Sequence, residues 1–237
     1  MSHSAVSAEL KSLANAKVAA QRSSFFKTGK GEYGYGDQFL GIEVPKLRIV
    51  AKKYQDLSQA DMKKLAGSKL HEDRFVALAI LVAQYKKAKH SSNQKDLFDL
   101  YLELLEAGRV NNWDLVDVTA PYLGTYLVDN PAGKPLLAKL AKSNDLWKQR
   151  VSVMFTWAHI RAGQPQVTLD QVEKLLNHPH DLIHKASGWM LREVGKKDVG
   201  LLRDFLASHA AAMPRVMLRY AIEKLTEKER AKWLRAS

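Results

Sequence analysis

Cysteine is absent from these 237 residues, which removes disulfides, thiolate metal ligands and cysteine nucleophiles from consideration. No apolar run approaches the roughly 20 residues that span a bilayer, so no membrane partner is expected. The opening stretch MSHSAVSAELKSLANAKVAAQRSS lacks a continuous apolar core, and a secretory signal is not expected either. A reducing cytoplasm suits this composition. Period-two alternation is nearly missing, which argues against strands. Phosphate-loop and dinucleotide fingerprints are missing, and the eight histidines form no HExxH. His178 and His180 straddle Pro179 in a predicted loop and read as a chance surface pair. No metal site and no cofactor are expected.

Acidic residues are also scarce. Asp and Glu number 25 against 37 Lys and Arg, giving a formal net charge of +12 and a pI near 9.7. An excess of positive charge raises affinity and encounter rate for polyanions. Nucleic acid is therefore the partner to look for, provided the charge is gathered on one face.

What is present is helical. Residues 73–89, 94–108, 146–163, 169–178 and 199–213 carry helical periodicity over two to five turns. Gly108, Gly163 and Gly195 follow apolar-periodic runs as helix stops, and Ser143, Asn144 and Asp145 supply cap candidates for the helix carrying Arg150. Segment 27–45, KTGKGEYGYGDQFLGIEVP, holds five of the 13 glycines and reads as an irregular connection, with contact to DNA left open. Arg74-Phe75-Val76-Ala77 and Arg150-Val151-Ser152-Val153 lie 76 residues apart, and Trp113, Trp147 and Trp189 are separated by 34 and 42. Both spacings fit helix-pair repeats of roughly 34 to 47 residues. The expectation is an all-α, right-handed solenoid of antiparallel helix pairs with a concave basic cleft. It would form one domain over 1–237, with the first 20 residues less ordered.

Four residues stand out as candidates for chemistry. On a helix starting near Asn112 and turning roughly 100° per residue, Leu115, Thr119, Tyr122 and Tyr126 share one side. Trp113 and Asp117, an i,i+4 pair, fall together on the other. A tryptophan there is either core or a site residue, and the adjoining carboxylate weights the two evenly. Asp114 reads as a first-turn acid favoured by the helix dipole. Arg150 lies in the middle of an apolar arc, where an unpaired guanidinium is costly. Its partner is either a carboxylate on a neighbouring helix or, functionally, a phosphate or Asp117. Trp189 lies away from the stripe of Ile183, Met190 and Val194, flanked by Lys185 and Arg192. Cations beside an exposed ring form a nucleic-acid contact or a solvated basic face.

The segments FLGIEVPKLR (39–48), NNWDLVDVTAPYLG (111–124), SNDLWKQRVSVMF (143–155) and KASGWMLRE (185–193) together resemble the AlkD-type family of alkylpurine DNA glycosylases, built from HEAT-like repeats. The resemblance runs from about residue 20 to residue 225. It implies that Trp113 and Trp189 are the family's cleft tryptophans, Asp117 its catalytic aspartate and Arg150 its cleft arginine. A further family tyrosine has no clear match, Phe26 being nearest. The implied activity is excision of N3- and N7-alkylated purines from duplex DNA, with the lesion held rather than flipped into a pocket. Such a base carries positive charge and leaves without a strong general acid. The enzyme need only stabilise the oxocarbenium-like sugar, through a carboxylate that also orients water and through tryptophan faces. Lys185, Arg192 and Arg150 are the expected DNA-binding residues. The resemblance implies a monomer in the cytoplasm, nucleoid-associated by function. The alternative from another class is a non-catalytic helical-repeat protein binding damaged or branched DNA, and a third is a scaffold for acidic proteins.

Overall fold

A computed structural model describes residues 1–235. It is all-α as expected: no strand occurs among the described residues, where an isolated bridge pairs Gln38 with Leu70. The chain forms two compact units, Met1–Thr119 and Ala120–Ser237.

The first unit contains α1 (His3–Ser12), α2 (Ala16–Phe25), α3 (Val44–Lys53), α4 (Gln59–Ala66), α5 (His71–Lys87), α6 (Ser91–Glu106) and α7 (Trp113–Asp117). Its first 20 residues, expected to be less ordered, form α1 and half of α2, and Val6 and Leu10 are fully buried. α5 is buried around most of its circumference and packs on α1, α3, α4, α6 and α7, which is why its sequence is apolar on every side. Its first turn is His71-Glu72-Asp73-Arg74, four polar residues that are all buried. They are tolerated because they bond to the chain around them. The Glu72 carboxylate accepts the backbone N–H groups of Leu40, Gly41 and Ile42 at 2.9, 2.8 and 3.3 Å. Gly41 has φ +80°, and a Cβ there would lie 2.3 Å from the Asn15 carbonyl oxygen. The FLGI sequence is therefore dictated by a left-handed backbone pressed against α2.

The second unit contains α8 (Ala120–Leu123), a 3₁₀ turn over Gly124–Leu127, α9 (Gly133–Ala141), α10 (Leu146–Arg161), α11 (Gln166–Lys174), α12 (Asp181–Lys197), α13 (Val199–His209), α14 (Arg215–Ala221) and α15 (Glu227–Arg235). α10 occupies the place that α5 has in the first unit, packing on α8, α9, α11 and α12. Asp145, one of the three expected caps, accepts from Trp147 N–H and Lys148 N–H at 2.8 and 3.0 Å. Ser152 and Thr156, buried within it, donate back to the Gln149 and Val153 carbonyls. Gly108 and Gly163 end α6 and α10 with φ +68° and +78°. Gly195 does not end a helix. It lies inside α12, where a Cβ would meet Leu202 Cδ2 at 2.4 Å, so close packing rather than termination selects it.

Candidate functional site

α7 is a helix of five residues, not the long one expected through Tyr126. Asn112 starts it, its side-chain oxygen accepting the Trp113 N–H at 2.9 Å. Pro121 helps to end it, having no N–H to offer the Asp117 carbonyl. The Thr119 hydroxyl turns inward, 2.6 Å from the Leu115 carbonyl and 3.1 Å from the Tyr101 hydroxyl. Trp113 and Asp117 keep their i,i+4 relation on this helix, and both are half-buried. Burial, with the charge of Asp117 adding to it, pushes the Tyr101 phenol far up. That residue stays neutral.

Trp113 is the end of a column of rings. Phe26 stacks on it with centroids 5.2 Å apart and planes 11° apart, Phe39 stacks on Phe26 at 5.0 Å, and His71 stacks on Phe39 at 4.5 Å. Phe26 is almost fully buried, whereas its neighbour Phe25 is 64% exposed and meets Trp113 edge-on at 5.9 Å. Phe26 thus supports the tryptophan from within and Phe25 is the ring open to solvent.

Behind the column lies a buried ion cluster that links three stretches of chain. His71 has Nδ1 3.1 Å from Asp37 Oδ2 and Nε2 2.8 Å from Asp114 Oδ2. Arg74 donates to Asp37 Oδ1 at 2.6 Å and to the Ser68 carbonyl at 3.0 Å, and Asn111 donates to Asp37 at 3.0 Å. Burial alone would lower the His71 pKa, but the Asp114 charge and the bonds to both carboxylates outweigh it and raise the value to about 9. Burial would likewise raise Asp37, but the His71 bond and the Arg74 charge hold it below the usual carboxylate range. Asp114 is a first-turn acid as expected, with a histidine partner that no local pattern signals. Its Oδ1 also accepts the Leu115 N–H at 2.8 Å.

In the second unit, Arg150 is buried and its Nη1 donates to the Leu182 carbonyl at 2.5 Å. One acceptor of the guanidinium is thus a main-chain oxygen in the first turn of α12. Trp189 is half-buried, with its indole N–H donating to Glu193 at 3.2 Å and its ring 5.9 Å from Trp157. Gly188 explains its placement: a Cβ would lie 2.4 Å from the Met217 carbonyl oxygen, so α12 approaches α14 through that glycine and turns the next residue outward. Lys185 and Arg192 are not bare cations. Lys185 pairs with Asp181 at 2.6 Å one turn earlier, and Arg192 pairs with Glu223. Trp147, the third of the spaced tryptophans, belongs to the core. His178 and His180 bond to Gln149 and to neighbouring backbone in their loop, and no cluster of three metal-ligating side chains forms among the described residues.

Asp37 and His71 escaped the sequence reading. Asp37 hides in a segment whose glycines signal a loop, and loops are ordinarily solvated. The available signal was HEDR immediately before the apolar run of α5, too polar a start for a helix buried on every side.

Two comparisons bear on identity. A family profile described as "DNA alkylation repair enzyme" matches residues 6–225. A solved structure titled "Predicted DNA alkylation repair enzyme from Enterococcus faecalis" superposes with a TM-score of 0.70 at 15% identity, covering 90% of this chain and 97% of that one. That likeness is one of fold. No curated protein matches by sequence.

Proposed function

This chain belongs to the DNA alkylation repair enzyme family, and we propose that it is a DNA glycosylase that hydrolyses the N-glycosidic bond of N3- and N7-alkylated purines in duplex DNA. The observation that carries this reading is the pairing of Trp113 and Asp117 on one short helix, with the ring braced by Phe26. A carboxylate one turn from an aromatic face suits a developing sugar cation, which both groups attract. The cationic base already carries the charge that makes it leave, so the protein supplies no strong acid. Asp117 stabilises the oxocarbenium-like sugar and aligns the attacking water. Trp189 and Arg150 belong to the same assignment through the family pattern, the ring contacting the nucleotide and the guanidinium a phosphate. Lys185 and Arg192 bind backbone phosphates in exchange for their present carboxylate partners.

The test is single-turnover release of 7-methylguanine and 3-methyladenine from methylated duplex DNA by wild type and Asp117→Asn. The substitution keeps size and removes charge, and base release should slow by roughly 100-fold or more, with DNA affinity held or slightly raised. Equal rates would remove Asp117 from the mechanism. No release by wild type from any alkylated duplex would leave a non-catalytic DNA-binding protein.

A further inference from the structure

We infer that His71 is a positioning residue for the proposed reaction, clamping α7 through Asp114 and the glycine-rich segment through Asp37 so that Trp113 and Asp117 are held in one geometry. The inference rests on the reading of those two residues as the site.

The geometry requires a particular protonation state. Each ring nitrogen of His71 faces a carboxylate oxygen, at 3.1 and 2.8 Å. A neutral imidazole has one N–H and would turn a lone pair towards a carboxylate. Imidazolium satisfies both and, with Arg74, balances Asp37 and Asp114 charge for charge. The groups facing the ring are Asp37 from the loop, Asp114 from α7 and Arg74 from its own helix. Asn111 and Asn112 complete the shell around Asp37. The value of about 9 for His71 agrees with a ring charged at neutral pH.

The clamp reaches the site by two routes. Asp114 lies between Trp113 and Asp117 on a helix of only five residues, too short to hold its own orientation. The His71 ring also ends the stack that runs through Phe39 and Phe26 to Trp113. Loss of the bond to Asp114 frees α7 to rotate, and loss of the bond to Asp37 loosens the loop that carries Phe39.

Two variants separate the routes. Gln at 71 places an amide N–H where Nε2 stood and keeps the Asp114 bond, and Asn places it where Nδ1 stood and keeps only the Asp37 bond. Positioning through α7 predicts that His71→Asn slows single-turnover base release at saturating DNA about 10- to 100-fold, the scale of a small displacement at a reacting centre. DNA affinity should stay within about twofold, and His71→Gln should retain most of the rate. A purely structural role predicts that both variants lose melting temperature alike and keep the rate per folded molecule, which would overturn the proposal. Amide and indole NMR on the DNA-free protein decides the point without catalysis. The Trp113 indole N–H signal, identified with Trp113→Phe, should move in His71→Asn and as wild type is titrated through pH 9, and should stay near its wild-type position in His71→Gln. A Trp113 signal unmoved by His71→Asn, or a neutral His71 at pH 7, overturns the clamp even if the protein proves to be a glycosylase. If wild type releases no base but the signal moves as described, the clamp stands and the glycosylase reading fails.

Discussion

The charged groups around Trp113 are sealed from water, and those around Trp189 are open to it. His71, Asp37 and Arg74 expose 3–4% of their side chains and Asp114 14%, whereas Lys185 exposes 39%, Asp181 52%, Arg192 17% and Glu223 44%. The same kinds of ion pair therefore do different things. A desolvated pair costs several kcal/mol to break from one side, because the surviving charge is stranded, and that makes it a mechanical link. An exposed pair is worth about 1 kcal/mol or less, so its cation can be handed to a phosphate at little cost. Chemistry needs the first property and reversible DNA binding the second.

Asp37→Ala should have the largest effect, because it removes the carboxylate that Arg74 and His71 share and leaves His71 with Asp114 alone. We expect a loss of about 3–5 kcal/mol, measured by denaturant unfolding, and a loss under about 1 kcal/mol would mean that water reaches the cluster. Next comes pH. The folded value of His71, about 9, lies above the unfolded value near 6.5. Its contribution is thus fully present below about pH 6.5 and is lost as the pH rises through 9. At about 1.4 kcal/mol per pH unit the loss is about 3 kcal/mol, and His71→Gln should flatten that limb of the stability–pH curve.

Smaller effects belong to the open region. Replacing Lys185 and Arg192 together by Glu should weaken binding to undamaged duplex about equally across sequences and reduce the salt slope by about 2, one for each phosphate no longer neutralised. Unchanged binding would favour the scaffold reading. Smallest of all, Asp181→Asn should change unfolding stability by less than about 1 kcal/mol while slightly strengthening DNA binding through the released Lys185.

Periodicity was enough to locate α5, α6, α10, α11 and α13, and each begins or ends within a few residues of its expected bounds. Helix faces repeat along the chain and are legible in one dimension. The pairing of Trp113 with Asp117 survived for the same reason, since an i,i+4 relation needs only one turn. The extension of that helix to Tyr126 failed because a proline and an inward-bonding threonine outcompete continued periodicity.

The amino-acid sequence by itself therefore determined the helical class, the polyanion-seeking charge, the helix cap at Asp145, the helix start near Asn112, and the short-range pairing of aromatic and acid. Tertiary structure alone decided which charges are buried. Asp37 and His71 are 34 residues apart and Asp114 lies 43 further on, so no local pattern links them. Only folding brings them together, and only burial turns ordinary polar residues into a charged cluster with a histidine titrating near 9. Tertiary structure likewise decided that Phe26 is a brace, that Phe25 is exposed, and that Lys185 and Arg192 start out paired. Secondary structure is written in neighbours along the chain, whereas electrostatics depends on neighbours in space and on the water they exclude.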